Sequence, residues 1–215
     1  MNRSARTDDS SSSGDDRSLV AAAQGGDRAA LEVLLRRHYD RVHAVCRRIL
    51  HNEQDAADAT QDALLAAVRG LARFDGDAAF GTWLYRIATN TCLDQLRRRK
   101  RRPTTPLDAM VETSDLVLTG DHHGVPFDLT VVDHLELQAA LARLPEEFRV
   151  AVVLRDVADL DYADIASTLD VPIGTVRSRI ARGRALLARY LESAGAEGEL
   201  AGNQTDPSDR RNGQS

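Results

Sequence analysis

From Leu19 to Arg102 apolar residues return every three or four positions, a period that suits buried helices and not strands. In "AALEVLLRRHYDRVHAVCRRIL" the stripe runs through Leu31, Leu34, Leu35, Tyr39 or His38, Val42, Val45, Cys46 and Ile49. Gly25-Gly26 breaks the chain before it, and Asp27 is the expected N-cap. A second helix is predicted over about Glu53–Leu71. The loop "RFDGDAAF" follows, with Asp75-Gly76 as its turn signal. A third helix is predicted from Phe80 to Arg101, where Pro103 and Pro106 stop it.

The rest of the chain divides by composition. Residues 103–131 mix polarity with Gly120, Gly124 and Pro126, and read as a flexible acidic linker. A second helical domain is expected over 132–193. The Ser/Asp-rich segment 1–18 and the polar segment 194–215 read as disordered tails. The predicted fold class is therefore all-α: two small helical domains, 19–102 and 132–193, joined by a linker.

Net charge is −5, yet the charge is segregated along the chain. Residues 103–142 hold seven acids and no Lys or Arg, whereas residues 174–191 hold five Arg and no acid. Such asymmetry points to nucleic acid or to a charged protein partner. The two cysteines, Cys46 and Cys92, sit in apolar helical stretches without the spacing of a zinc site. Buried hydrophobes are the plain reading, and a redox-sensitive pair is the alternative. No apolar run approaches the ~18 residues of a membrane span. "MNRSARTDDSSSSGDDRS" lacks the apolar segment of a signal peptide. These features predict a soluble cytoplasmic protein with no metal and no cofactor. No nucleophile–base pair or phosphate-cradling glycine loop suggests an enzyme.

The second domain carries a helix-turn-helix pattern. In "DLDYADIASTLDVPIGTVRSRIARGRALLARYL", Asp161 can cap a short helix over Tyr162–Leu169. Asp170-Val171 makes the turn, and a second helix opens at Pro172. Val176, Ile180 and Leu187 continue the apolar stripe. The outer face offers Thr175, Arg177, Ser178, Arg179 and Arg182, with Arg184 at its flank. Arginines placed so can reach guanine edges in a major groove, at ~1–3 kcal/mol of discrimination each.

The first domain has three features of its own. Asp55, Asp58 and Asp62, with Gln61 beside them, form an acidic stripe. Such a stripe repels DNA and suits a basic protein surface. Phe80, Trp83 and Tyr85, three of the nine aromatics, follow the Asp75-Gly76-Asp77 loop. Beyond them lie Asn90, Asp94 and six consecutive cations, Arg97–Arg102. Aromatics stack on unpaired bases at ~1–3 kcal/mol each, and a cationic helix end holds the same strand's phosphates.

In this order the motifs resemble a group 4 (extracytoplasmic function, ECF) sigma factor of the sigma-70 family. "DAADATQDALLAA" resembles the family's region two segment that binds the polymerase β′ clamp helices, although Ala57 stands where the family usually has Glu. "FDGDAAFGTWLYRIATNTCLDQLRRRKR" resembles the segment that opens and captures the minus-10 element. "LPEEFRVAVVLRDVADLDYADIASTLDVPIGTVRSRIARGRALL" resembles region four, which reads the minus-35 element and docks on the β flap. "NTCLDQLRRRKRRPTTPLD" is similar to the sigma M branch of high-GC Gram-positive bacteria.

The resemblance implies roles for matching residues. Asp55, Asp58, Gln61 and Asp62 would bind core RNA polymerase. Asp75, Gly76, Asp77, Phe80, Trp83, Asn90, Asp94, Arg97 and Arg98 would hold the opened minus-10 strand. Thr175, Arg177, Ser178, Arg179 and Arg182 would enter the minus-35 groove of promoter DNA. It also implies an anti-sigma factor partner, often membrane-bound, and no catalysis by the chain itself. A stand-alone helix-turn-helix repressor is the rival reading; it requires duplex affinity without polymerase. An adaptor that binds only protein would leave the arginine helix unexplained.

Overall fold

The computed structural model describes residues 8–101 and 131–202. Among these residues there are eight helices and no strand. The first set is α1 (Asp8–Gln24), α2 (Arg28–Leu50), α3 (Glu53–Gly70) and α4 (Phe80–Arg101), with a single 3-10 turn at Leu71–Arg73. The second set is α5 (Val131–Arg143), α6 (Glu146–Asp156), α7 (Tyr162–Leu169) and α8 (Ile173–Gly202). The all-α expectation holds. The acidic linker expected over 103–131 lies outside the described residues, save Val131 at the start of α5.

The caps follow from local chemistry. Asp27 accepts hydrogen bonds from Ala29 N at 2.9 Å and Ala30 N at 3.1 Å, which starts α2 as expected. α2 ends at His51, whose φ of 56° is left-handed and whose N–H bonds Arg47 O at 3.0 Å. Asn52 then accepts from Asp55 N at 2.9 Å and opens α3. The helix-to-helix reversal thus takes two residues, which fixes α3 antiparallel to α2.

α2, α3 and α4 pack pairwise on one another. Leu34, Val42, Val45 and Ile49 of α2 and Leu84 of α4 are fully buried. Each such side chain contributes about 1.5–3 kcal/mol through the apolar surface it removes from water. From α3 come Ala56, Ala59, Thr60, Ala63 and Ala67, a ladder of small residues that lets its neighbours approach closely. His38 turns inward and Tyr39 stays 45% exposed, which settles the open choice in the α2 stripe. Val68 does not join the core; it is 41% exposed on the outer side of α3.

α1 departs from expectation. Helix begins at Asp8, inside the segment read as a tail, and packs along α2. Its Asp16 is buried, and both carboxylate oxygens are satisfied: Oδ1 by Arg37 at 2.6 Å and Oδ2 by His38 Nε2 at 2.7 Å. α1 is held to α2 where its buried acid finds a cation and an imidazole. At the other end of the chain, α8 likewise continues past Ser193 to Gly202.

In the second set Pro145 precedes α6, and Asp161 caps α7 by accepting from Asp164 N at 2.7 Å. α7 ends at Asp170 with φ 52°, the left-handed turn for which Asp is better suited than most residues. α8 then crosses α6 so closely that a Cβ on Gly183 would lie 2.6 Å from Val152 Cγ2. The two sets also touch: α2 packs on α6, and α4 on α7.

Candidate nucleic-acid and protein interfaces

α3 presents two distinct faces. Asp58, Gln61 and Asp62 are exposed together with Ala57, Leu65 and Val68. With Leu35, Tyr39 and Leu64 these apolar side chains line a shallow groove between α2 and α3. The acidic stripe therefore rims an exposed apolar surface, the composition of a protein-docking face. Asp55 differs from its stripe partners. It is half-buried, and its carboxylate pairs with Arg99 of α4 at 2.7 Å. That bond ties α3 to α4 and turns Asp55 away from the outer face.

The loop between the 3-10 turn and α4 is built around aromatics. Phe74, Phe80 and Trp83 meet with centroid separations of 5.0–5.8 Å, and His38 lies 5.3 Å from Phe80. Phe80 is only 4% exposed, so it supports the loop from below instead of offering a face to a base. Tyr85 is buried with it, while Trp83 is half-buried and closes over Gly70. Asp75, Gly76 and Asp77 stand exposed above this cluster. Asp75 Oδ1 accepts from Asp77 N at 3.1 Å, and Gly76 has φ 82°, a value that favours glycine.

Asn90, Asp94, Arg97 and Arg98 are all exposed along α4, at the i, i+4, i+7 and i+8 spacing of one helix face. Asp94 pairs with Arg97 at 2.9 Å. Lys100 reaches Glu146 of α6 at 2.7 Å. Of the predicted minus-10 set, Phe80 alone is buried.

On α8, Arg177, Ser178 and Arg182 are exposed and Thr175 is half-buried in the first turn. Ser178 Oγ donates to Thr175 O at 2.9 Å. Arg179 is held by Glu147 at 3.0 Å, and Arg177 lies over the Tyr162 ring at 5.6 Å. Arg184, at the flank, is paired with Asp156; that hydrogen bond raises its already high pKa. The helix thus offers the exposed Arg182 beside arginines held by Glu147, Asp156 and the Tyr162 ring.

Cys46 and Cys92 are both fully buried. The Cys92 thiol is pushed up by its hydrogen bond to Cys46 and by burial, so it stays protonated. Among the described residues no group of three or more His, Cys, Asp or Glu could hold a metal ion, and no helix is long and apolar enough to cross a membrane.

A module with an acidic helix and an aromatic, cation-tipped helix, followed by a helix-turn-helix, is the plan of a sigma-70-type subunit. The sigma-70 region 2 family matches residues 34–102, and the sigma-70 region 4 family matches residues 134–187. The chain is 44% identical over 176 residues to the ECF RNA polymerase sigma factor SigM of Mycobacterium tuberculosis, covering 82% of this chain and 84% of that one. It is 37% identical over 183 residues to the RNA polymerase sigma-H factor of Pseudomonas aeruginosa, covering 82% and 94%. The fold resembles CnrH in complex with the cytosolic domain of CnrY, with a TM-score of 0.59, 26% identity, and coverage of 83% and 98%. It also resembles the sigma factor RpoE of Bartonella quintana in complex with the anti-sigma factor NepR, with a TM-score of 0.59, 25% identity, and coverage of 75% and 96%. The chain belongs to the ECF RNA polymerase sigma factors, proteins that direct RNA polymerase to promoters.

Proposed function

We propose that this chain binds core RNA polymerase through the outer face of α3 and captures the opened minus-10 strand on the loop 75–77 and α4. In this reading α8 enters the major groove of the minus-35 element. The observation that carries it is the division of labour between the faces. Asp58, Gln61 and Asp62 crown an apolar groove that suits protein, whereas Asn90, Arg97, Arg98, Arg177 and Arg182 are exposed on faces where phosphates or bases could reach them. Asp55 supports this division indirectly by holding Arg99.

The chain acts in the cytoplasm and is not an enzyme: the polymerase supplies the chemistry of RNA synthesis. An anti-sigma factor is its expected regulator, as the sigma factor RpoE of Bartonella quintana, which shares the fold, is in complex with the anti-sigma factor NepR. The groove of Leu35, Tyr39, Leu64, Leu65 and Val68 is apolar enough to serve such a partner as well as the polymerase.

The test is run-off transcription with bacterial core polymerase on a library of promoter fragments. Initiation should depend on the protein and arise from sites with paired minus-35 and minus-10 elements. Asp58→Arg with Asp62→Arg should abolish binding to core polymerase and leave the thermal midpoint unchanged, since both side chains are exposed. Tight binding of the free protein to duplex DNA, with no initiation, would favour the repressor.

A further inference from the structure

We propose that α1 is a positioning element for strand capture, and that Gln24 is the residue through which it acts. The inference rests on the reading that the loop 75–77 receives the opened strand. The loop leaves the 3-10 turn at Phe74 and enters α4 at Phe80. α1 holds both of these ends.

At the first end, the Gln24 side-chain amide donates to Leu71 O at 2.9 Å and to Phe74 O at 2.7 Å. Both amide hydrogens are used, on carbonyls at the start of the 3-10 turn and just past its end. Leu71 O also accepts from Phe74 N at 3.0 Å, so the three groups lock the chain's exit from α3. Gln24 is itself fixed by the turn that follows. Gly25 N, Gly26 N and Asp27 N bond back to Ala21 O, Ala23 O and Ala22 O at 3.0–3.1 Å.

At the second end, buried Asp16 accepts from His38 Nε2 at 2.7 Å. The His38 ring lies 5.3 Å from Phe80 and 6.4 Å from Tyr85, at edge-on angles. Gly81 leaves room for it, since a Cβ there would lie 3.2 Å from the His38 ring. The line Asp16, His38, Phe80 therefore sets the first turn of α4. Between the two anchors stand Asp75, Gly76 and Asp77, with few bonds of their own. A loop with loosened ends would pay the ordering cost at each strand capture. α1 precedes residue 34, where the region 2 match begins, so nothing in that match assigns it this part.

The test uses the full chain in holoenzyme with core polymerase. The probe is a fluorescent single-stranded oligonucleotide carrying the minus-10 element of a promoter the enzyme initiates from. Gln24→Glu keeps the side chain's length and loses both donors. It should weaken oligonucleotide binding about tenfold. Gln24→Lys, which still donates to carbonyls, should stay within about twofold of the parent. Affinity for core polymerase should not change in either variant, and the thermal midpoint of Gln24→Glu should fall by only about a few degrees, the loss expected for two hydrogen bonds at the surface of a domain this size. Asn90→Ala and Asp77→Ala serve as controls for the loop reading itself. If they lose binding and Gln24→Glu does not, the role of α1 is overturned while the loop reading stands. If all three bind as the parent does, the loop reading fails and the inference falls with it. A Gln24→Glu protein that loses core affinity and thermal stability together would show a merely structural residue, and that result also overturns the proposal.

Discussion

Phe80 is where residue identity and residue role part. An aromatic beside a Gly/Asp loop and a basic helix is a natural candidate to stack on a base. Its ring is instead enclosed by His38, Phe74 and Trp83 and is 4% exposed. Truncation to Ala should therefore act through stability first. The expected loss is about 3–5 kcal/mol, the usual cost of removing a buried Phe. The check is thermal unfolding of Phe80→Ala beside Asn90→Ala. Asn90 is exposed, so its variant should keep the parent's midpoint while losing strand binding. Equal midpoints for the two would mean that Phe80 is not part of the core. The cysteines belong at the same scale. With both thiols fully buried and Cys92 kept protonated by Cys46 and its surroundings, neither is placed to meet an oxidant in the folded chain.

At the scale of elements the tightest constraint is the crossing of α8 over α6. Glycine inside a helix costs about 1 kcal/mol relative to alanine, so Gly183 stands there for space. A Cβ would meet Val152 Cγ2 at 2.6 Å, Phe148 O at 3.2 Å and Phe148 Cβ at 3.3 Å. Val152 is β-branched and buried, and Phe148 O is backbone, so neither yields easily. Overpacking typically costs about 1–3 kcal/mol and should exceed the gain in helix propensity. Gly183→Ala should lower the thermal midpoint modestly, and Gly183→Leu should lose minus-35 binding with the fold of α5–α8. A stabilised Gly183→Ala would show that the crossing has slack.

Gly183 also marks the boundary of what the sequence displays. Caps at Asp27 and Asp161, the left-handed Asp170 and the helices around Pro145 are local matters, and each stands where local chemistry places it. Contacts between distant segments are not local. A Ser/Asp run reads as a tail until Asp16 meets Arg37 and His38, more than twenty positions away. Asp55 joins a stripe by spacing, yet Arg99 pulls it aside from another helix. Ala59 and Thr60 sit within the same segment as the docking stripe. Both are core, and the Thr60 hydroxyl bonds Ala56 O at 2.7 Å. Periodicity marks a face; packing decides which edge of that face goes inward.

At the scale of the whole molecule, the apolar core runs through both helical sets, and polar contacts tie them across the seam. Arg41 Nε donates to Val157 O at 3.2 Å, Arg86 to Ser167 Oγ at 2.9 Å, and Lys100 pairs with Glu146 at 2.7 Å. Behind the seam, at the end of α2, lies His51. Among the described residues neither of its ring nitrogens has a hydrogen-bond partner, and the nearby cation is Arg149, itself buried in the first turn of α6. Burial, reinforced by Arg149, lowers the imidazole from its ordinary 6.5 to about 4. The folded, docked chain therefore prefers neutral His51. A depressed pKa of this kind gives stability that is complete above 6.5 and is lost as the pH falls towards about 4. Other groups titrate nearby, so the difference between two proteins is the informative quantity. His51→Asn keeps a residue that tolerates the left-handed cap and removes the titration. Thermal midpoints measured from neutral pH down to about 5, a limit set above ordinary carboxylate titration, should fall less for His51→Asn than for the parent. Parallel curves would place His51 in contact with solvent, and the seam between the two sets would then open more readily than its buried imidazole implies.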